Sequence, residues 1–484
     1  MRFIHAAAMA AAPCVALCVS AAVLPVEAQS PAAMATGMPP ELKAIRESDL
    51  KRDLYFFASD SMRGREAGTL DELRAGSWMA QQARKAGLLP AGNDGTFFQW
   101  WSMHRLRQSD NSHLSIGGTP LVLGRDIVVL APVDASIDAP LMFVEPGATS
   151  DSGAIRGKAV VTEIPAPASG EVPRRYAMVA MRQASQRFLA LGAVAVLVVS
   201  DAASEQSGFA SAVDQLPRGR YGIDSAGTVA YWPDAVGGAV RPPPAPPVLW
   251  VRRAMLGKLR APDQRFTAQL VTEDFLYPSV NIIGVVHGTD PKLRTQYVEY
   301  SGHLDHDGVR SPIAGDSIWN GADDNGSVDV GILAVARAFV KHPGRRSVIF
   351  VWHGAEERGL LGSRYFVNHP TVPRDSIVAD LNGDMIGRNN PDSATILGVQ
   401  PPHRNSPMLV RMALDANQRI TKFGIDSVWD RPSHPEGWYF RSDHIPYARV
   451  GIPAISFSTN LHADYHRPSD ERQRIDYAKL TRMA

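Results

Sequence analysis

The chain has 484 residues, enough for two or three domains at roughly 150 residues each. Hydrophobic residues make up 45% and charged residues 20%, which fits a folded chain with a sizeable core. Lys and Arg total 50 against 49 Asp and Glu, so the basic excess of a nucleic-acid binder is missing, and nothing marks a membrane-surface protein.

Residues 1–28 read as a secretory signal peptide. Arg2 precedes a long uncharged stretch rich in Ala, Val and Leu that runs to Pro25, and Val26-Glu27-Ala28 puts small residues where a signal peptidase reads. The competing reading, an uncleaved anchor, is weaker because Ala-rich segments insert poorly. A lipoprotein cleavage at Cys18 is opposed by Leu17. Cys14 and Cys18 are the only cysteines, so the expected mature chain has no disulfide. No other segment is apolar enough to span a bilayer, which predicts a secreted or periplasmic protein with no stable membrane insertion.

Beyond a Pro- and Ala-containing linker, Leu42, Ile45, Leu50, Leu54 and Phe57 recur near helical spacing, and 41–88 reads as helical, with a second helix stopping at Gly87. Short strand-like runs follow at 127–130, 158–162 and 193–199, with a helix expected over 176–191. Gly- and Pro-rich loops occupy 208–247, and the mostly proline run Arg241 to Pro247 cannot join a sheet interior. These features make 126–275 a separate α+β module inserted after an N-terminal part at 29–125. From 276 to 484 the pattern changes. Strand runs at 280–286, 297–300 and 347–352 alternate with a helix at 330–340, the mark of an α/β sheet with helices on both faces.

Five short segments of this second half gather His, Asp and Glu, most of them directly after strands, where open α/β sheets bind ligands. In Ser301-Gly302-His303-Leu304-Asp305-His306, His303 could hold a metal while Asp305 orients its ring, although an isolated H-x-D is more often a surface loop. Asn320-Gly321-Ala322-Asp323-Asp324-Asn325-Gly326 precedes a helix. Its acids either cap that helix or set one carboxylate between two metals. Ala355-Glu356-Glu357-Arg358-Gly359 is either a solvated helix start or a pair that divides labour, one glutamate ligating and one moving protons. Asn382 to Gly387 and Asp464 to Asp470 complete the set. Histidines with several carboxylates suit paired zinc ions better than calcium or magnesium. There is no G-x-S-x-G elbow, P-loop or dinucleotide fingerprint.

Together and in this order, the GADDNGS, AEERGLLGS, NGDMIGR and YHRPSD strings, with Ala58 to Arg65 and Pro278 to Gly284, resemble the co-catalytic zinc peptidases. That family includes secreted bacterial leucyl aminopeptidases and, more distantly, glutamate carboxypeptidase. The resemblance implies a zinc exopeptidase fold, a mixed α/β sheet flanked by helices, with a protease-associated domain inserted in it. It implies two Zn²⁺ ions, peptide substrates and an aminopeptidase activity. His303 and Asp384 would hold one zinc, Glu357 and His466 the other, with Asp323 bridging. Glu356 would be the general base and Asp305 the partner of His303. Asp443 and His444 match a family motif without a ligand role. Other activities on this fold are a carboxypeptidase, for which Arg388 or Arg441 could grip a terminal carboxylate, a single-zinc cyclase, and a non-catalytic relative. The last two would have lost residues that are all present here. Departures from the family pattern are Val328 in place of a small residue, His353-Gly354 before the glutamates, and an end at Ala484 where relatives continue into a longer closing helix, so a C-terminally shortened chain is expected.

Overall fold

The computed structural model describes residues 39–148, 151–164, 176–209, 212–213, 216, 218–225, 228–231 and 246–484. The signal-peptide expectation and most of the proline run lie outside them. No helix among the described residues is long and apolar enough to cross a membrane.

The N-terminal region is not one continuous helical stretch. A helix Glu47–Phe57 and a helix Leu70–Ala86 flank a turn at Asp60–Arg65, where Arg63, Gly64 and Arg65 all have positive φ. Gly64 is required there, because an added Cβ would lie 2.4 Å from the Trp319 carbonyl oxygen. The second helix starts as its sequence dictates. Thr69 accepts hydrogen bonds from the Asp71 and Glu72 amides, and the helix ends on Gly87 at φ 98°.

The main sheet has four parallel strands at its centre, in the spatial order Ser347–His353, Tyr297–His303, Ile377–Gly383, Ala454–Ser458. Antiparallel strands extend it on both sides. Thr272–Val286 and then Phe98–Gln108 lie beyond the first, and Ser393–Leu397 beyond the last. Both faces are covered, so the Ser347–His353 strand is apolar almost throughout. Val348, Phe350 and Trp352 face a core with Leu50, Leu54, Met79, Leu333 and Leu480 from helices Glu47–Phe57, Leu70–Ala86, Val328–Lys341 and Tyr477–Met483. Ile349 and Val351 face the opposite core, with Phe366 and Tyr447 from helices Leu361–Asn368 and His444–Arg449.

A second, eight-stranded sheet draws its strands from between His113–Ile116 and Arg265–Leu270. It therefore begins before residue 126. The strand Arg220–Ser225 is not part of it and pairs instead along Phe98–Gln108 at the edge of the main sheet, with Thr228–Tyr231 paired outside it. Chain from within 126–275, expected to be a separate module, thus returns to the edge of the first sheet.

Val328 is accommodated by the glycines that precede two site residues. A Cβ added at Gly302 or Gly383 would meet its methyl at 2.7 Å and 2.8 Å, respectively. The first turn of the Val328–Lys341 helix therefore packs directly beneath the strand ends that carry His303 and Asp384.

Candidate metal centre

Each parallel strand delivers a polar residue at or just beyond its carboxyl end: His303, Glu356 with Glu357, Asp384 and, on a longer loop, His466. Asp324 enters from the turn Ala322–Ser327 that leads into the central helix. One oxygen of its carboxylate lies 3.3 Å from His303 Nε2 and the other lies 3.2 Å from His466 Nε2. One carboxylate thus faces two histidines on opposite sides.

Around these histidines the ligand-type atoms fall into compact sets. His303, Glu356 and Asp384 form one, and Asp324, Glu357 and His466 another. A third, His306, Asp307 and Glu357, adjoins the second. His303 Nδ1 lies 3.0 Å from the Asp305 backbone carbonyl. A carbonyl can only accept, so Nδ1 carries the proton and the Nε2 lone pair points at the carboxylates. His303 Nε2, His466 Nε2, Glu357 Oε1 and both ring nitrogens of His306 are buried and make no well-aligned hydrogen bond, although Glu357 Oε1 lies 2.9 Å from His306 Nδ1 and 3.1 Å from His466 Nε2. Buried imidazole and carboxylate atoms left this way are costly unless a cation pairs them. The donor set, nitrogen and carboxylate oxygen around a shared carboxylate, fits two zinc ions.

Two expectations shift. Asp323, expected to bridge, is turned away from the cluster. Its Oδ1 accepts from the Gly387 amide at 2.7 Å, and its Oδ2 lies 3.4 Å from His462 Nε2. The physical reason is local. Asp324 breaks the turn with φ −101° and ψ 93°, and neighbouring side chains in extended backbone point to opposite sides. The carboxylate that faces both histidines is thus Asp324, one residue beyond the expected one. Asp305, expected beside the His303 ring, has its carboxylate 3.9 Å from Nδ1, beyond hydrogen-bond reach. It accepts instead from the amides of Glu356 at 2.9 Å and Glu357 at 3.3 Å, fixing the backbone that carries the glutamate pair. His303, Glu356, Glu357, Asp384 and His466 all lie where the ligand-type atoms converge.

The two adjacent glutamates titrate in opposite directions. Burial and then the neighbouring carboxylates push Glu356 well above the usual carboxylate range, although His303 opposes this. Burial acts on Glu357 too, but His466 and His306 beside it hold it well below. Environments that split a carboxylate pair in this way assign one to proton transfer and the other to permanent charge. Asp384, raised to about 7 by burial and by Asp324, is a carboxylate that needs a cation to stay ionised at neutral pH.

Several supporting residues are visible only in three dimensions. Asp470 accepts from the Asp323 and Asp324 amides, and Asn325 joins the Asp324 turn to the Asp384 loop through the Gly383 carbonyl and the Met385 amide. Arg65, fully buried, donates to the carbonyls of Leu304, Phe57, Asn320 and Gly321. Arg388 is engaged by Asp464 at 2.6 Å and Arg441 by Glu436 and the Tyr465 hydroxyl. Asp443 accepts from Ser363, and Asp443 and His444 are both fully buried.

The profile of Peptidase family M28 matches residues 281–484. Aminopeptidase YwaD of Bacillus subtilis (strain 168) is 30% identical over 169 residues, 33% of this chain and 34% of that protein. Leupeptin-inactivating enzyme 1 of Streptomyces exfoliatus is 31% identical over 166 residues, 33% of this chain and 34% of that protein. The chain thus spans about a third of the length of these two relatives. Among solved structures, an aminopeptidase from Aneurinibacillus sp. strain AM-1 superposes with a TM-score of 0.55 at 18% identity, covering 91% of this chain and 92% of that one. BSAP, a zinc aminopeptidase from Bacillus subtilis, gives 0.55 at 19% identity, covering 91% and 94%. These two share the fold.

Proposed function

We propose that this chain, whose residues 281–484 match the profile of Peptidase family M28, is a two-zinc exopeptidase that releases residues from the amino end of peptides. The observation that carries the proposal is the Asp324 carboxylate, with one oxygen toward His303 and the other toward His466. His303, Asp324 and Asp384 would hold one ion, and Asp324, Glu357 and His466 the other. Zinc in such a pair polarises the scissile carbonyl and acidifies a water.

Glu356 performs the proton transfer. Its carboxylate lies 3.8 Å from His303 Nε2, on the edge of the cluster. With its affinity for a proton raised by burial, it takes one from the attacking water and delivers it to the leaving amine. Asp305 holds the Glu356 amide, so the base is positioned by backbone and not by a flexible stem alone. The amino-end preference rests on charge. Glu356, the clustered carboxylate not assigned to an ion, can face a free α-ammonium, whereas Arg388 and Arg441 are already paired.

The names of the relatives and solved neighbours support the same direction of attack. The 1–28 segment supports export with cleavage after Ala28, and N-terminal sequencing of exported protein beginning at Gln29 would bear this out.

The test compares an aminoacyl anilide with its N-acetylated counterpart on the zinc-loaded protein. Acetylation removes the charge and leaves the scissile bond intact. Loss of most of kcat/KM on the blocked substrate is expected. Equal cleavage of both would refute amino-end recognition. No cleavage of any peptide, with two zincs bound, would refute the peptidase reading.

A further inference from the structure

We propose that His306 is a fourth protein ligand of the ion held by Asp324, Glu357 and His466, so that one metal position is closed by side chains and the other stays open beside Glu356. The inference rests on the two-zinc reading and adds to its ligands a residue outside the expected set.

His306 is fully buried, and its ring lies against the start of the turn that carries Asp324. Gly321 makes the room: a Cβ there would lie 2.4 Å from the ring's Cγ and 2.5 Å from its Cδ2. The backbone holds the residue in place, with the His306 amide donating to the Arg65 carbonyl at 3.3 Å. An imidazole buried this firmly needs partners for its nitrogens, and neither of them makes a well-aligned hydrogen bond.

The atoms around Nδ1 show what it faces. It lies 2.9 Å from Glu357 Oε1 and 3.9 Å from Asp324 Oδ2. His466 Nε2 lies 3.1 Å from the same Glu357 oxygen and 3.2 Å from the same Asp324 oxygen. Two imidazoles thus straddle one pair of carboxylate oxygens, with ring planes at 83° and centroids 5.6 Å apart. Zinc bonds of about 2.0–2.2 Å at tetrahedral angles separate neighbouring ligand atoms by about 3.3–3.6 Å. The contacts, from 2.9 to 3.9 Å, scatter around that spacing. A common ion also accounts for a nitrogen 2.9 Å from an oxygen without hydrogen-bond alignment, because two ligands of one ion point at the ion and not at each other.

The compact set of His306, Asp307 and Glu357 is therefore the rim of this position and not a third one. Glu357 approaches both histidines with the same oxygen. Asp307 sits behind the His466 ring, its Oδ2 3.5 Å from Nδ1, while its Oδ1 faces Arg358 at 3.5 Å and Arg218 at 3.6 Å.

The consequence is an asymmetric pair. Asp324, Glu357, His466 and His306 make a closed set of four, the arrangement of a zinc that is retained. His303, Asp324 and Asp384 make a set of three with a position open, the arrangement of a zinc that reacts. Glu356 belongs to the same cluster as His303 and Asp384, so the base stands at the open position.

The test loads the full chain with Co²⁺ in place of zinc. Paramagnetic ¹H NMR then counts the solvent-exchangeable imidazole N–H signals that the ions shift. A ligated histidine keeps one ring N–H close to its metal, so His303, His466 and His306 should give three such signals and His306→Gln two. Two signals in the parent, or three retained in the variant, would overturn the assignment. His306→Asn serves in its place if His306→Gln folds poorly, and the parent count stands by itself. Chelator competition on the zinc-loaded protein is a second readout. One zinc should leave the parent well before the other, and His306→Gln should loosen the tighter one by at least about 100-fold, the upper end for a residue that only orients a ligand. A smaller loss, or equal release of both zincs from the parent, would count against the closed position.

The outcomes separate the levels of the argument. A parent that takes up a single Co²⁺ with a His306-dependent signal would keep the ligand and sink the two-zinc reading. Two bound ions with only two signals would do the reverse. Three signals in a protein that cleaves no peptide would keep the ligand and sink the peptidase reading.

Discussion

Arg65→Met keeps the apolar stem of a fully buried side chain and removes its guanidinium. The parent makes four hydrogen bonds to backbone carbonyls: Leu304 at 2.9 Å, Phe57 at 3.2 Å, Asn320 at 2.7 Å and Gly321 at 3.0 Å. Three of these acceptors lie in the segments that carry His303 and Asp324. At about 1.5–3 kcal/mol for each bond to a charged donor, the gross contribution is about 6–12 kcal/mol. Burying the guanidinium costs several kcal/mol of lost hydration, so the net loss expected on substitution is about 3–5 kcal/mol. Stacking of the guanidinium 4.6 Å from the Phe57 ring centroid is lost as well. Arg65→Lys, with one ammonium in place of a planar fork, should fall between the two. Urea unfolding of the zinc-loaded protein followed by Trp fluorescence gives the stability change, and elemental analysis gives the zinc content. The expected result is a lowered midpoint together with weakened zinc retention, because the loops on either side lose a common tie. A variant within about 1 kcal/mol of the parent with full zinc occupancy would refute the reasoning.

Asp324→Asn should weaken binding of both zincs. Asp323→Asn should leave metal content near the parent value, since its carboxylate faces the Gly387 amide and His462; elemental analysis of the two variants side by side would reverse the assignment if Asp323→Asn alone emptied the site. Glu356→Gln should lose about 10²–10⁴ in turnover while keeping its zincs, the usual contribution of a general base. Glu357→Gln should instead weaken metal binding, because its partners are His306 at 2.9 Å and His466 at 3.1 Å. Retention of metal by Glu357→Gln and loss of it by Glu356→Gln would exchange the two roles.

Much of the second half was legible because its physics is local. The runs 280–286 and 347–352 are apolar on both faces, and a strand buried between two helical layers must be so. The strand-to-polar transitions at His303, Glu356 and Asp384 follow from the same sheet, since a parallel strand opens its carboxyl end to the ligand. The helix expected over 176–191 is found at Tyr176–Ala190. The N-terminal region was harder. Leu50, Leu54 and Phe57 have helical spacing, but nothing in that spacing reveals the positive φ values at 63–65 that break the run before Leu70.

The site divides along the same line. Residue type and order alone determined that histidines and carboxylates gather after strands, that one adjacent pair of acids could share two cations, and that one pair of glutamates could split its tasks. Which acid of Asp323-Asp324 faces the cations was decided by a single extended φ/ψ within a turn, since adjacent side chains then diverge and sequence adjacency carries no direction. The partner of the Asp305 carboxylate was decided by where the Glu356 and Glu357 amides came to rest, 51 and 52 residues along the chain. His306 and Asp307 follow His303 in the same short segment, yet only packing against His466 and Glu357 brings them to the cluster. Arg218, Arg310 and Arg358, which all pair with Asp307, lie far apart in the chain. No local pattern could group them, because it is the return of insert chain to the main-sheet edge, a long-range pairing, that sets their charges side by side.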